Sequence, residues 1–174
     1  MSPLVLGIDP GLQSLGYCLP SGVPGTIKPG SRKGVERLQY LRHVVLDMAT
    51  GVGDIPPVDL VVVEAMAYGT ARQSYAYEIG GLGWVLRVAL TEANVRWIEI
   101  PPATLKKYAT ARGGASKEMM LAAAIRRLDY QGHDHNECDA LWLRAAGLEL
   151  LGHPVVELPR GQVFALDALR EKAA

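Results

Sequence analysis

The chain has 174 residues, of which 49% are hydrophobic and 21% are charged. This composition is that of a folded protein rather than a disordered one, and the length suits one domain. The 18 basic and 18 acidic side chains leave no net charge, which argues against a protein that coats nucleic acid by bulk charge. We expect neither a membrane span nor a signal peptide, because no long apolar run and no basic leader is present. The two cysteines, Cys18 and Cys138, indicate reduced, buried thiols in a cytoplasmic protein.

Short strands are predicted for the N-terminal part of the chain. Residues 4–28 contain two or three of them, separated by Asp-Pro-Gly at 9–11 and Pro-Ser-Gly at 20–22. This spacing favours an antiparallel meander at the start of a sheet. A basic loop, KPGSRK, follows at 28–33. In residues 34–50 apolar side chains recur every three or four positions, which predicts an amphipathic helix.

The next strand, predicted over residues 59–66, is continuously apolar and runs into an acid, Glu64. An unbroken Val/Leu run indicates a strand covered on both faces, as in the centre of a parallel or mixed sheet. A long helix is then predicted over residues 70–94, although it contains Gly80, Gly81 and Gly83. These glycines indicate close helix packing, either within the chain or across a dimer interface.

The C-terminal half is predicted to be mainly helical. Its expected elements are a strand at 95–100 and helices at 103–110, 117–128 and 137–151, with Ser116 as the N-cap of the second helix. Residues 153–174 form a tail with a candidate strand at 155–157 and a helix from 163. The element order predicts one α/β domain over residues 1–174, with a core at about 4–152 and a mixed sheet.

Three acids occupy corresponding places in this scheme. Asp9 ends the first strand, Glu64 ends the central apolar strand, and Asp139 lies in the first turns of the last long helix. If the first and fourth strands are parallel neighbours, their carboxyl ends meet, where ligand sites of α/β sheets gather. Such a cluster suits Mg²⁺ or Mn²⁺, and two ions about 4 Å apart activate water for phosphodiester cleavage. Taken alone, Asp9 beside Pro-Gly also fits ordinary turn chemistry.

Four basic residues lie within a dozen positions of each other: Lys106, Lys107, Arg112 and Lys117. They surround two glycines close to a predicted helix N-terminus, which makes a plausible phosphate-contact surface. The alternative is an ordinary solvated helix face.

Together these motifs resemble the RuvC family of Holliday-junction resolvases, in the RNase H-like superfamily. The motifs are GIDPG at 7–11, VE at 63–64, LK at 105–106 with GGASK at 113–117, and CDAL at 138–141. They occur in the family's order across residues 4–150. The compact size suggests a divergent, phage-type member.

The resemblance implies an RNase H-like three-layer fold with a five-stranded mixed sheet flanked by helices. It also implies a homodimer that binds four-way DNA junctions and makes paired symmetric nicks with 5′-phosphate ends. Asp9, Glu64 and Asp139 would be catalytic, metal-binding carboxylates, and Lys106 and Lys117 would act on the scissile phosphate. The residues expected to contact DNA are Tyr68, Arg72, Lys106, Lys107, Arg112 and Lys117. The helix at Gly80 to Trp84 is the candidate dimer interface.

One position departs from the family pattern. The family's fourth ligand lies three residues before the helix Asp, and that position here is Asn136. Our first choice of fourth ligand is Asn136 and our second is His135, while Asp134 is near enough to swing in. Glu137 is expected to point elsewhere. A weaker or His-containing site would favour Mn²⁺ over Mg²⁺.

Two other functions fit the same motifs. One is a module that binds branched nucleic acid without cutting it, and the other is a nuclease acting on flaps or RNA:DNA hybrids. A phosphotransferase of the actin and sugar-kinase superfamily is disfavoured, because 174 residues cannot hold the second copy of the domain which that fold requires.

Overall fold

A computed structural model describes residues 2–52, 56–66 and 73–173 of the chain. Within these residues the strands are β1 (Val5–Asp9), β2 (Leu15–Cys18), β3 (Pro24–Ile27), β4 (Leu60–Glu64) and β5 (Trp97–Ile100). The main helices are α1 (Gly34–Thr50), α2 (Gln73–Glu92), α3 (Pro102–Thr110), α4 (Lys117–Leu128) and α5 (His135–Leu150). The chain ends in α6 (Arg160–Val163), a 3-10 turn (Phe164–Leu169) and α7 (Arg170–Ala173). Among residues 2–52, 56–66 and 73–173, no helix is long and apolar enough to cross a membrane.

The strands form one mixed sheet in the order β3-β2-β1-β4-β5. β1, β2 and β3 pair antiparallel, whereas β1 with β4 and β4 with β5 pair parallel. The predicted meander and the parallel pairing of the first and fourth strands are therefore confirmed. Ile8 lies opposite Val63 in the β1–β4 register, so the next residues, Asp9 and Glu64, end adjacent strands at the same edge.

Helices cover both faces of the sheet and make three layers. Alternate side chains of a strand point to opposite faces, and those of β1 and β4 divide accordingly. Leu6, Ile8, Val61 and Val63 pack with α1 and α2, while Val5, Leu60 and Val62 pack with α3, α4 and α5. By the same alternation, Asp9 and Glu64 face α5.

The close approach of α5 to the sheet depends on two glycines. A Cβ atom on Gly7 would overlap the Ala140 carbonyl oxygen, and one on Gly16 would overlap the Asn136 carbonyl oxygen. α5 therefore rests on β1 and β2 at backbone distance. This contact brings the first turns of α5, with Asp139, over the end of β1.

The C-terminal tail differs from the expected structure. No strand forms at residues 155–157 in the described structure, so that prediction was wrong. Pro154 and Pro159 bracket the segment, which is too short to pair, and Val156 and Leu158 pack on the helical core instead. Beyond it, Gln162 is buried and its Nε2 donates to the Tyr108 carbonyl at 2.6 Å. The tail is thus packed against α3.

The glycines of α2 have two different environments. A Cβ on Gly81 would lie 3.6 Å from Leu38 Cδ1, and one on Gly83 would lie 3.1 Å from Met66 Cγ. Gly83 therefore packs tightly against Met66 within the chain, whereas a Cβ on Gly81 would make only an ordinary contact with Leu38. Gly80 faces open space, with no atom of the described structure within 4 Å of a Cβ placed there.

We predict that Gly7→Ala destabilises the protein by about 3 kcal/mol or more, because the new methyl group meets α5 backbone that has no room to move. Gly114→Ala is the matched control, since a Cβ there has no atom of the described structure within 4 Å, and we expect a change of no more than about 0.5 kcal/mol. Urea unfolding measures both. A Gly7→Ala variant as stable as Gly114→Ala would contradict the packing described for α5.

Candidate active site

Asp9 and Glu64 form the centre of the candidate site. Asp9 is only 9% exposed, and Glu64 is partly buried beside it at the end of the neighbouring strand. The two carboxyl groups are close enough for each to change the pKa of the other. β-strand register alone produces this pair, because both residues immediately follow the matched positions Ile8 and Val63.

Asp139 supplies a third carboxylate from α5. It lies one turn into the helix, partly buried, and its charge acts on both Asp9 and Glu64. The structure therefore brings together the three acids that the sequence placed at separate strand and helix positions, 55 and 75 residues apart along the chain. The predicted convergence of Asp9, Glu64 and Asp139 on one edge of the sheet is consistent with this arrangement.

Burial and mutual repulsion make the three acids hard to ionise together. Burial raises the pKa of Asp9 well above its ordinary value, and repulsion from Glu64 and then Asp139 raises it further. Burial, followed by repulsion from Asp139, raises the pKa of Glu64 to about 7. Burial also raises the pKa of Asp139. A divalent cation would relieve this repulsion.

The donor set fits a hard divalent cation. Carboxylate and amide oxygens are the ligands that Mg²⁺ and Mn²⁺ prefer. In the described residues no three His, Cys, Asp or Glu side chains are already arranged as a metal cage. The site is thus a close carboxylate pair with a third acid facing it, and the amide of Asn136 lies on the same side of α5 as Asp139.

Two lysines face the carboxylates from α3 and α4. Lys106 is partly buried and Lys117 is exposed, and the charges of both lower the pKa values of Glu64 and Asp139. Lys117 also acts on Asp9. Lys107 and Arg112 are exposed and lie outside the set of charges that act on these acids.

The start of α5 decides what occupies the fourth ligand position. The helix begins at His135, two residues earlier than predicted, because Asp134 is its N-cap. Asp134 Oδ1 accepts the backbone N–H groups of Asn136 at 2.8 Å and Glu137 at 3.2 Å. Asp134, which the sequence left as a residue near enough to swing in, serves here as the helix cap through its Oδ1. His135 lies close enough to Asp139 for its charge to lower that residue's pKa.

Glu137 points away from the three acids, as predicted. Its Oε2 accepts the Tyr130 hydroxyl at 2.8 Å, and its Oε1 accepts the Thr26 hydroxyl at 3.3 Å. The Asn136 side chain instead faces the β1–β2 turn, where its Nδ2 donates to Ser14 Oγ at 3.0 Å. Sequence reasoning missed Ser14, and no motif marks it. Tyr68 and Arg72, predicted to contact DNA, lie outside the described residues.

The chain is similar in sequence to two RuvC proteins. No family model matches the chain. The crossover junction endodeoxyribonuclease RuvC of Rhodopirellula baltica is 27% identical over 161 residues, covering 87% of this chain and 89% of that protein. The protein of the same name from Sorangium cellulosum is 28% identical over 143 residues, covering 71% and 73%. The chain is RuvC-like.

Solved structures support the RuvC-like fold. Thermus thermophilus RuvC matches with a TM-score of 0.63 at 22% identity, over 81% of this chain and 90% of that one. The same protein in complex with a Holliday junction substrate matches with a TM-score of 0.66 at 22% identity, over 82% and 90%. The yeast mitochondrial Holliday junction resolvase Ydc2 matches with a TM-score of 0.56 at 12% identity, over 99% and 83%. The predicted RNase H-like fold is confirmed.

The raised pKa values predict an unusual pH dependence of stability in the absence of cations. Between about pH 4.5 and 7 the folded protein holds protons on Glu64 and its neighbours that the unfolded chain releases. Stability therefore falls as pH rises through this window. We expect Asp9→Asn to increase the free energy of unfolding at about pH 8 in EDTA and to flatten the pH profile.

Urea unfolding across this pH range measures the effect. The control is Asp129→Asn, the same chemical change at an exposed residue whose left-handed backbone (φ 52°) asparagine tolerates. If Asp9→Asn and Asp129→Asn gave the same pH profile, the repulsion assigned to the three acids would be absent.

Proposed function

We propose that this RuvC-like chain is a metal-dependent endodeoxyribonuclease that resolves four-way DNA junctions by paired symmetric nicks with 5′-phosphate ends. The observation that carries the proposal is the meeting of Asp9, Glu64 and Asp139 at one edge of an RNase H-like sheet. Two relatives are named crossover junction endodeoxyribonuclease, and one structural neighbour was solved with a Holliday junction substrate.

Asp9, Glu64, Asp139 and Asn136 are the residues that would hold Mg²⁺ or Mn²⁺, which would supply Lewis-acid activation of water and phosphate. The carboxylates have a second role of their own. With a phosphate bound beside the three acids, an ionised carboxyl would orient a water molecule and accept its proton. Because burial and neighbouring negative charge raise the pKa values of Asp9 and Glu64, each carboxyl group must lose its proton before it can act as a ligand.

Lys106 and Lys117 would contact the phosphate that is cut. Their charges reach the carboxylates from two different helices, Lys106 from α3 and Lys117 from the start of α4. A phosphate seated over Asp9 and Glu64 would then have cationic donors beside it, which stabilise the negative charge that develops during hydrolysis.

The remaining basic residues would position the DNA backbone rather than act in the reaction. Lys107 and Arg112 are exposed on the α3 side of the site, where they can neutralise neighbouring phosphates. Tyr68 and Arg72 follow Glu64 in the chain by four and eight residues, and we retain them as proposed DNA contacts on sequence grounds.

A dimer is needed to place two such sites for paired nicks, and α2 offers a surface for one. Tyr77, Trp84 and Val88 lie on one face of α2 and are 84%, 63% and 50% exposed. Val35 of α1 borders the same face, and side chains of α1 and α2 together line a surface groove of about 400 Å³. Exposed aromatic and aliphatic side chains in one patch are typical of protein interfaces.

We propose that two copies meet through this α2 face about a two-fold axis. A two-fold axis would place Gly80, which has open space around it, where the backbones of two α2 helices can approach closely. Because α2 follows β4 in the chain, such a contact would also fix the separation of the two copies of Glu64.

We predict that Trp84→Glu converts a dimer into a monomer, because it buries an unpaired charge in the proposed interface. Phe164→Glu is the control, since Phe164 is 70% exposed, close to the 63% of Trp84, but lies in the C-terminal segment. Light scattering measures the mass of each variant. A monomeric wild-type protein, or a Trp84→Glu dimer, would exclude this interface.

The catalytic proposal is tested by cleavage of four-way, three-way, flap and RNA:DNA hybrid substrates in Mg²⁺ and in Mn²⁺. We expect the four-way junction to be cut, with Asp9→Asn slowing the reaction at least about a thousandfold while junction binding persists. Asp129→Asn should cut at the wild-type rate, because it removes an exposed carboxylate outside the site. Junction binding without cutting would favour a non-cleaving module, and preferential hybrid cleavage would favour an RNase H-like activity.

A further inference from the structure

The fourth ligand position carries an amide, and an amide has two chemically opposite ends. Oδ1 of Asn136 can bind a cation, whereas its NH₂ group repels a cation and is attracted to carboxylates. Asn136 lies one helical turn before Asp139, and its backbone covers Gly16, the residue paired with Asp9 across β1 and β2. The end of the amide that faces the acids therefore decides whether Asn136 helps or hinders cation binding.

Ser14 engages one of these two ends. Asn136 Nδ2 donates to Ser14 Oγ at 3.0 Å, across 122 residues of sequence. Ser14 lies in the turn that joins Asp9 to β2, so the hydrogen bond links the two segments that frame the site. With Nδ2 bound to Ser14, Oδ1 is the end of the amide left for a cation.

The Asn136 backbone is fixed independently of this hydrogen bond. Its N–H donates to Asp134 Oδ1 at 2.8 Å, and its carbonyl oxygen is packed over Gly16. Helix α5 and its contact with the sheet therefore fix the position of the Asn136 Cα atom. Ser14 affects only the rotation of the Asn136 amide group about its Cβ–Cγ bond, which exchanges the positions of Oδ1 and Nδ2.

We propose that Ser14 is a positioning residue, which holds the Asn136 NH₂ group away from Asp9, Glu64 and Asp139 and so presents Oδ1 to a divalent cation. The proposal rests on the cation site of the proposed function and does not require that the chain cuts DNA. Its physical basis is competition. Without a cation, three carboxylates attract an NH₂ donor, and the Ser14 oxygen offers that donor another acceptor.

Removal of the hydroxyl should therefore weaken cation binding. In Ser14→Ala the NH₂ group is free to turn toward a carboxylate, and a cation must displace it before binding. Loss of a residue that orients a metal ligand lowers metal affinity by about 10- to 100-fold. We expect about tenfold here, because Asn136 is one uncharged ligand among three carboxylates.

Isothermal titration calorimetry with Mn²⁺ alone, without DNA, measures the effect. We expect Ser14→Ala to lose about tenfold in Mn²⁺ affinity and Ser14→Thr, which keeps the hydroxyl, to stay near wild type. Ser14→Val, which matches threonine in shape but lacks the hydroxyl, should behave like alanine. Urea unfolding in EDTA confirms that each variant is folded.

A double-mutant cycle separates positioning from a general structural role. In an Asn136→Ala background, Ser14→Ala should cause no further loss of Mn²⁺ affinity, because the amide it acts on is gone. In an Asn136→Asp background the loss should shrink, since both ends of a carboxylate are oxygens.

Three results would overturn the proposal: unchanged Mn²⁺ affinity in Ser14→Ala, equal affinities of the threonine and valine variants, or the same loss in the Asn136→Ala background. Absence of Mn²⁺ binding by the wild type would overturn it together with the cation site. If Mn²⁺ binds as expected but no four-way junction is cut, the proposed function fails and the role of Ser14 stands.

Discussion

The candidate site depends on one contact, the backbone-to-backbone packing of α5 on β1 and β2. Gly7 and Gly16 make this contact, because any side chain at either position would overlap an α5 carbonyl group. At an ordinary helix-to-sheet distance Asp139 would lie farther from Asp9 and Glu64. Asn136 would likewise be lifted away from Ser14. Gly7 and Gly16 thus allow Asp139 to approach the pair that the strand register has already formed.

The consequence of that packing is an electrostatic cost built into the fold. Burial raises the pKa values of Asp9, Glu64 and Asp139, and the charge of Asp139 repels both of the other acids. Lys106 and Lys117 offset part of this repulsion but form no ion pair that would neutralise it within the described residues. A fold that retains such a cluster is less stable without a cation than with one, since a cation bound only by the folded state shifts the folding equilibrium. The three acids that lower the stability of the cation-free protein are therefore the same residues that we propose to be catalytic.

The outline of this arrangement could be predicted from sequence, because it follows from strong local patterns. The apolar runs that end in Asp9 and Glu64 and the parallel pairing of their strands were sufficient to place the two acids side by side. Helix periodicity likewise located α1 and α4. Ser116 was predicted as an N-cap because serine precedes the periodic segment, and the structure confirms it, since the Ser116 hydroxyl accepts the Met119 N–H. These features depend on neighbours in sequence or on a single pairing.

What could not be predicted depends on contacts between distant segments. Nothing near Ser14 indicates that it accepts a hydrogen bond from a residue 122 positions away. From the sequence, Asp134 could serve as an additional metal ligand. In the structure its Oδ1 accepts two backbone N–H groups at the start of α5. The glycines of α2 fitted two interpretations equally well, and only the position of Met66 assigns Gly83 to packing within the chain.

We propose that Asp9, Glu64 and Asp139 form one cation site beside α5. Anomalous diffraction from a crystal soaked in Mn²⁺ would locate the ion without relying on catalysis. We expect an anomalous peak bonded to carboxylate oxygens of Asp9 and Glu64, with Asp139 in the same site. A peak elsewhere, or an Asp139 side chain turned away from the other two acids in the soaked crystal, would contradict it.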